Sequence, residues 1–181
     1  MAIIPTPSTR LAGVVLLQSP VYRDERGYFM ETYNARDLAD VLGPHDFVQD
    51  NVSVSHLGVF RGMHTQLAPH AQTKLVRVLS GKLVDYVLDV NPKSPTYKQW
   101  ECYELQAGDG KSLYIPKGYA HGFIALAQET VLQYKVDAPY TPHAEVCYHY
   151  ASTTIASHAQ KLLPQEVPII LSEKDLKGEF L

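Results

Sequence analysis

Apolar and polar residues alternate along this chain in short runs separated by proline and glycine, the period-2 pattern of β-strands. The runs at 72–79, 82–90, 100–105, 112–115 and 130–136 are rich in β-branched and aromatic residues and are expected to be strands. Ser80-Gly81 divides Lys74-Leu75-Val76-Arg77-Val78-Leu79 from the run that starts at Lys82, and this reads as a hairpin. The apolar run 11–17 reads as a further buried strand. Helical signals are sparse. Residues 34–42 form the one clear case: Asn34 can cap, Leu38, Val41 and Leu42 share a face, and Gly43-Pro44 stops the helix. A short turn is expected at 172–175. Many short strands with regular turn signals predict an antiparallel all-β jelly-roll barrel carrying one or two short helices.

No repeat, low-complexity tract or linker divides the 181 residues, so residues 1–181 are read as one domain, large enough to bury a core without disulfide or metal staples. Sixteen Lys and Arg against 19 Asp and Glu leave a formal charge of −3, which supplies no global field for nucleic acid or an anionic membrane. An anionic ligand would therefore need a local basic pocket. Cys102 and Cys147 lack metal-ligand spacing and read as free structural thiols, with Cys102 expected to be buried. The apolar run after Arg10 is too short for a targeting or membrane segment, and a cytoplasmic protein is expected.

Two stretches carry candidate chemistry. Gly58-Val59-Phe60-Arg61-Gly62-Met63-His64-Thr65-Gln66 puts an Arg and a His on one expected strand. Period 2 would send them to opposite faces, so they meet in one cavity only if the strand twists or bulges at Gly62. Ile115-Pro116-Lys117-Gly118-Tyr119-Ala120-His121-Gly122-Phe123 sets a second histidine among small residues that let a ligand come close. A metal-binding barrel strand would show His-x-His, whereas the position two after His64 is Gln66, and no metal site is expected. Arg26, Arg61 and Lys74 could form an anion site if one cavity holds them together.

Taken together, the chain resembles the dTDP-4-dehydrorhamnose 3,5-epimerase family of cupin-like barrels, from about Tyr22 to Asp175. The matching elements are Asp24-Glu25-Arg26-Gly27 with Phe29 and Glu31, Gln49-Asp50-Asn51 with Ser53 and Ser55, and Val59-Phe60-Arg61-Gly62-Met63-His64. Further matches are Gln72, Lys74 to Val78, Ser94-Pro95-Thr96, Trp100, Ile115-Pro116, Ala120-His121-Gly122-Phe123, Tyr134-Lys135, Tyr140 and Leu171-Ser172-Glu173-Lys174-Asp175. The resemblance implies that His64 is a catalytic base paired with Asp175, that Tyr134 is the acid on the other face of the sugar, and that Lys74 stands near the ketone oxygen. It also implies substrate contacts by Arg26, Glu31, Gln49, Asn51, Arg61, His121 and Tyr140, a homodimer, and no metal or organic cofactor.

The chemistry asks for the same residue types. A carbon acid beside a ketone loses its proton only if the enolate oxygen is stabilised, and a lysine in a dry pocket does this. Inversion then needs a base and an acid on opposite faces, which a histidine and a phenol can supply. The implied activity is epimerisation at carbons 3 and 5 of a nucleotide-linked 4-keto-6-deoxyhexose. Its rivals are a single-carbon epimerase, a 3,4-ketoisomerase, a metal-dependent cupin oxygenase and a barrel that only binds sugar nucleotides. The chain departs from the family pattern at Tyr150-Ala151-Ser152-Thr153, at His158-Ala159, and at Asn91, where arginine is common. These departures put pocket walls or subunit contacts in question, not the acid and base.

Overall fold

The computed structural model describes residues 3–181. A six-stranded sheet runs in the order β1 (Ile4–Pro7), β2 (Val15–Gln18), β10 (Lys111–Ile115), β7 (Lys74–Ser80), β12 (Thr130–Val136), β5 (Gln49–Ser55). A five-stranded sheet runs β13 (Glu145–Cys147), β6 (Phe60–Gln66), β11 (Tyr119–Ala125), β8 (Lys82–Asp89), β9 (Trp100–Gln106), and β3 (Tyr22–Asp24) with β4 (Gly27–Phe29) forms a separate hairpin. Every strand pair is antiparallel. The protein has the all-β jelly-roll architecture that its turn-punctuated pattern predicts, of the cupin-like kind that the resemblance implies.

The two sheets bury their alternating apolar faces against each other. Val76, Val78, Leu113, Ile115 and Leu132 of the larger sheet meet Leu83, Val87, Leu105 and Phe123 of the smaller one. Seven consecutive residues of β8 are buried, because its other face, with Val84, Tyr86 and Leu88, is covered by α2 (Ile155–Lys161) through Ile155 and Ala159. On the outside of the larger sheet, Leu38 of α1 (Ala35–Leu42) packs on Val15, Leu17, Leu75 and Tyr114. The Asn34 side chain caps α1 by accepting from the amides of Arg36 and Asp37, as the sequence predicts. Ser172 likewise caps α3 (Glu173–Leu176).

Three expectations need correction. Strands β7 and β8 are not a hairpin: they lie in different sheets, joined by a corner at Gly81, whose φ of +75° suits glycine. Both strands have an apolar inner face, and the two faces meet across the core. The run 11–17 is strand only from Val15 on. Leu11 and Val14 sit fully buried in the turn before it, where the Ser8 hydroxyl accepts from the Leu11 amide. Cys102 is exposed, on edge strand β9, and not buried. Helix α2 was not visible in the pattern. It is seven residues long, its Thr154 cap makes no side-chain hydrogen bond, and only Ile155 and Ala159 are buried, too little for a periodic signal.

The feature that shapes the site is a bulge. His121 pairs with His64 and Phe123 with Arg61, so three steps along β6 oppose two along β11. The extra residue turns Arg61 and His64 towards one cavity, while Met63 points into the core under α2. Gly62 permits this with a φ of +124°. A Cβ there would stand 2.5 Å from the Cα of Gly122, so the two strands close only with glycine at this position.

Candidate active site

A cavity of about 320 Å³ opens between the sheets. Strand β6 contributes Arg61, His64 and Gln66, β7 Lys74, β11 His121, β12 Tyr134, β13 Glu145, and the segment around α3 Ser172, Lys174 and Asp175. His64 and Tyr134 belong to different sheets, which puts them on opposite walls.

His64 Nε2 lies 2.6 Å from Asp175 Oδ1. That carboxylate is almost wholly buried, and it accepts further from the Gly62 amide at 3.4 Å, the Ser172 hydroxyl at 2.7 Å and the Cys147 thiol at 3.6 Å. Burial by itself would raise its pKa, but the hydrogen bonds from His64 and Ser172 outweigh it and hold Asp175 below the ordinary carboxylate value. An ionised carboxylate accepts only, so it keeps the imidazole proton on Nε2. The second ring nitrogen, Nδ1, is then left unprotonated, with no hydrogen-bond partner among the described residues.

Lys74 is buried, and its Nζ donates to the His64 carbonyl at 3.4 Å. Burial pulls its pKa down to about 8, against the pull of the Asp85 and Glu145 carboxylates. Burial also raises the Tyr134 phenol, reinforced by Glu145, so this hydroxyl stays protonated at neutral pH. His121 Nε2 lies 2.8 Å from Asp85 Oδ2, a second histidine–carboxylate pair on the same cavity. Asp85 is fully buried, and burial raises its pKa while His121 pulls the other way. Its Oδ1 has no partner among the described residues. Glu145 accepts from Tyr140 at 2.7 Å and from Lys174 at 2.5 Å.

The cavity thus gathers His64, Asp175, Tyr134, Lys74, Arg61, His121 and Tyr140 from the sequence-predicted set. Gln49 and Asn51 stand just beyond the lining, on the face of β5 that Ser53 presents to the cavity. Gln49 donates to Asn51 and accepts from the Tyr140 amide. Arg26 and Glu31 are not there. Arg26 is held by Asp24 on the exposed β3–β4 hairpin, and Glu31 lines a separate hollow beside Arg77 and Asp109. Of the three basic residues considered as an anion site, only Arg61 and Lys74 share the cavity, because the hairpin carries Arg26 away from it.

Sequence reasoning missed Asp85, Ser172 and Lys174 as site residues. Asp85 had a signal, since it occupies the inward position between Leu83 and Val87 of an apolar strand, where an acid needs a reason. Gln66 spends its amide on the carbonyls of His70 and Pro139 and on the Thr141 amide, which fixes a loop and leaves it unsuited to join His64 around a metal. The departures from the family pattern lie off the cavity. Tyr150 and His158 pack against the core under the smaller sheet, where His158 Nδ1 meets the Tyr86 hydroxyl at 2.8 Å. Asn91 lies in the loop after β8, where its amide donates to Asp89.

Residues 8–181 match the sequence profile of the dTDP-4-dehydrorhamnose 3,5-epimerase family. The dTDP-4-dehydrorhamnose 3,5-epimerase of Shigella flexneri is 37% identical over 172 residues, covering 94% of this chain and 92% of that protein. The crystal structure of the Bacillus anthracis dTDP-4-dehydrorhamnose 3,5-epimerase, with TDP and PPi bound, superposes with a TM-score of 0.88 at 37% identity, covering 99% and 100% of the two chains. That of the Legionella pneumophila dTDP-6-deoxy-D-glucose-3,5-epimerase, in complex with dTDP-4-keto-L-rhamnose, gives 0.87 at 32% identity over 98% and 92%.

Proposed function

The chain belongs to the dTDP-4-dehydrorhamnose 3,5-epimerase family, and from that premise we propose that it inverts carbons 3 and 5 of a nucleotide-linked 4-keto-6-deoxyhexose in this cavity. The observation that carries the reading is His64, hydrogen-bonded to Asp175, facing the protonated phenol of Tyr134 from the opposite sheet. His64 Nδ1 removes the proton from the carbon beside the ketone, and Asp175 stabilises the imidazolium that results. Lys74, as a cation, holds the negative charge that develops on the ketone oxygen, in a buried setting where that charge interacts strongly. Tyr134 delivers a proton to the other face. Repetition at the second carbon uses the same groups, because both carbons flank one carbonyl. The sequence consists of proton transfers without change of oxidation state, and the reading uses neither metal nor organic cofactor.

Arg61, at the exposed end of the cavity, and Tyr140, Gln49 and Asn51 beside it are assigned to the nucleotide diphosphate, and His121, oriented by Asp85, to the sugar. The working unit is a homodimer of single-domain chains, residues 1–181 each. Its support is the outer face of edge strand β5, where Val52 and Val54 are 60% and 52% exposed beside Val48, an apolar edge that a second copy can cover. Arg26 and Glu31 lie off the cavity of their own chain, so they contact the sugar nucleotide only where a partner's site comes to them. The protein is assigned to the cytoplasm: among the described residues no helix is long and apolar enough to cross a membrane, and both cysteines are free.

Three outcomes are expected. In deuterated water with dTDP-4-keto-6-deoxyglucose, proton NMR of the chelator-treated protein shows deuterium entering at carbons 3 and 5, and His64→Ala slows that entry by about 10²- to 10⁴-fold. Tyr134→Phe slows reprotonation comparably, and unchanged exchange in both variants would refute the assigned roles. The rate of exchange falls on the alkaline side with an apparent pKa of about 8, as Lys74 loses its charge. Because the Asp85 carboxylate holds that charge in place, Asp85→Asn moves this limb to lower pH, and a limb that stays put would remove Lys74 from the ketone oxygen. Sedimentation equilibrium at micromolar concentration gives the mass of two chains, whereas the mass of one contradicts the dimer.

A further inference from the structure

Cys147 takes no part in the mechanism, yet it sits directly across from His64 in the β13–β6 register and its thiol donates to Asp175. One ligand atom from each of His64, Cys147 and Asp175 lies within 4.8 Å of the other two. Thiolate, imidazole and carboxylate are the donor set of zinc and not of the hard cations, which prefer oxygen alone. Three protein ligands leave a fourth position open, and two of them, His64 and Asp175, line the cavity.

We propose that His64, Cys147 and Asp175 form a binding site for a zinc ion that inhibits the enzyme by taking its base. Bond lengths of about 2.0–2.3 Å at tetrahedral angles put ligand atoms about 3.3–3.7 Å apart. The thiol and carboxylate already stand at 3.6 Å, the His64–Asp175 contact has to open from 2.6 Å by less than about 1 Å, and the imidazole, already within 4.8 Å of the thiol, has to settle into the same range.

The proton balance gives the inhibition its cause. A zinc–Nε2 bond uses the nitrogen that now carries the ring proton, and that proton moves to Nδ1, the atom required to be bare. The thiol gives its proton to solvent, and the bound dication is neutralised by one thiolate and one carboxylate. The groups facing Cys147 are Asp175, Glu145 and Lys174. A thiol binds zinc only as the thiolate, so one proton leaves per zinc bound. Cys102, exposed on β9, has no share in the site.

The effect on turnover rests on the proposed role of His64, but the binding does not. The test uses chelator-treated, reduced protein without substrate, titrated with cobalt(II) as a spectroscopic stand-in for zinc. A thiolate-to-cobalt charge-transfer band is expected in the near ultraviolet. It should persist in Cys102→Ser and vanish in both Cys147→Ser and Cys147→Ala. Zinc should displace the cobalt, release one proton per ion from metal-free protein, and stop deuterium exchange. In Cys147→Ser the zinc needed to stop exchange should rise about 100-fold or more, since a lost ligand costs at least what a lost supporting contact does. Absence of the band, or a band that survives Cys147→Ser, overturns the site. Zinc that binds while exchange continues overturns the inhibition, and metal-free protein that shows the band yet never exchanges deuterium counts against the proposed reaction instead.

Discussion

The structure turns on one hydrogen bond, between His64 Nε2 and Asp175 Oδ1, made across 111 residues of sequence. A carboxylate this deeply buried is tolerated only when its lone pairs are occupied, and four donors occupy them: an imidazole, a backbone amide, a hydroxyl and a thiol. The four donors come from three pieces of architecture, since His64 and Gly62 share β6. The amide belongs to the bulge glycine, the hydroxyl caps the helix on which Asp175 itself lies, and the thiol belongs to the short strand paired with His64. The smaller sheet and the chain's last helix therefore meet at a single charge.

That charge organises the cavity around it. One wall holds imidazole and carboxylate, the other a phenol that burial keeps protonated, with a buried lysine beside the histidine's own backbone. Lys74 and Asp85 are costly residues to place between two sheets. Their neighbours lower the cost: Asp85 is paired with His121, and both carboxylates, Asp85 and Glu145, oppose the loss of charge on Lys74. Groups whose environments push their pKa values apart in one pocket are the mark of acid–base chemistry.

Much of this was legible in the residues. Period-2 alternation marked the main strands, Asn34 marked a helix start, a turn was expected at 172–175 where a short helix stands, and the condition for Arg61 and His64 to share a cavity, a bulge at Gly62, is met by the register. What local pattern could not carry was partnership. Nothing near Ser80-Gly81 says whether the flanking strands pair side by side or face each other across a core, since both arrangements alternate in the same way. Arg26 read as a pocket residue because its motif resembles one, but a hairpin's direction in space is set by what it packs on. Asp85 went unremarked because its partner, His121, lies 36 residues away. The contribution of Cys147 arises only from the pairing of β13 with β6.

The chemistry proposed for this cavity depends on Asp175 fixing the proton of His64 on Nε2 and leaving Nδ1 bare. Nitrogen-15 NMR of the histidine-labelled, metal-free protein near pH 8 tests it directly, because the two ring nitrogens report their protonation separately. The expected result is a protonated Nε2 and an unprotonated Nδ1 for His64, with that preference lost in Asp175→Ala. A proton on Nδ1 in the intact protein would contradict it.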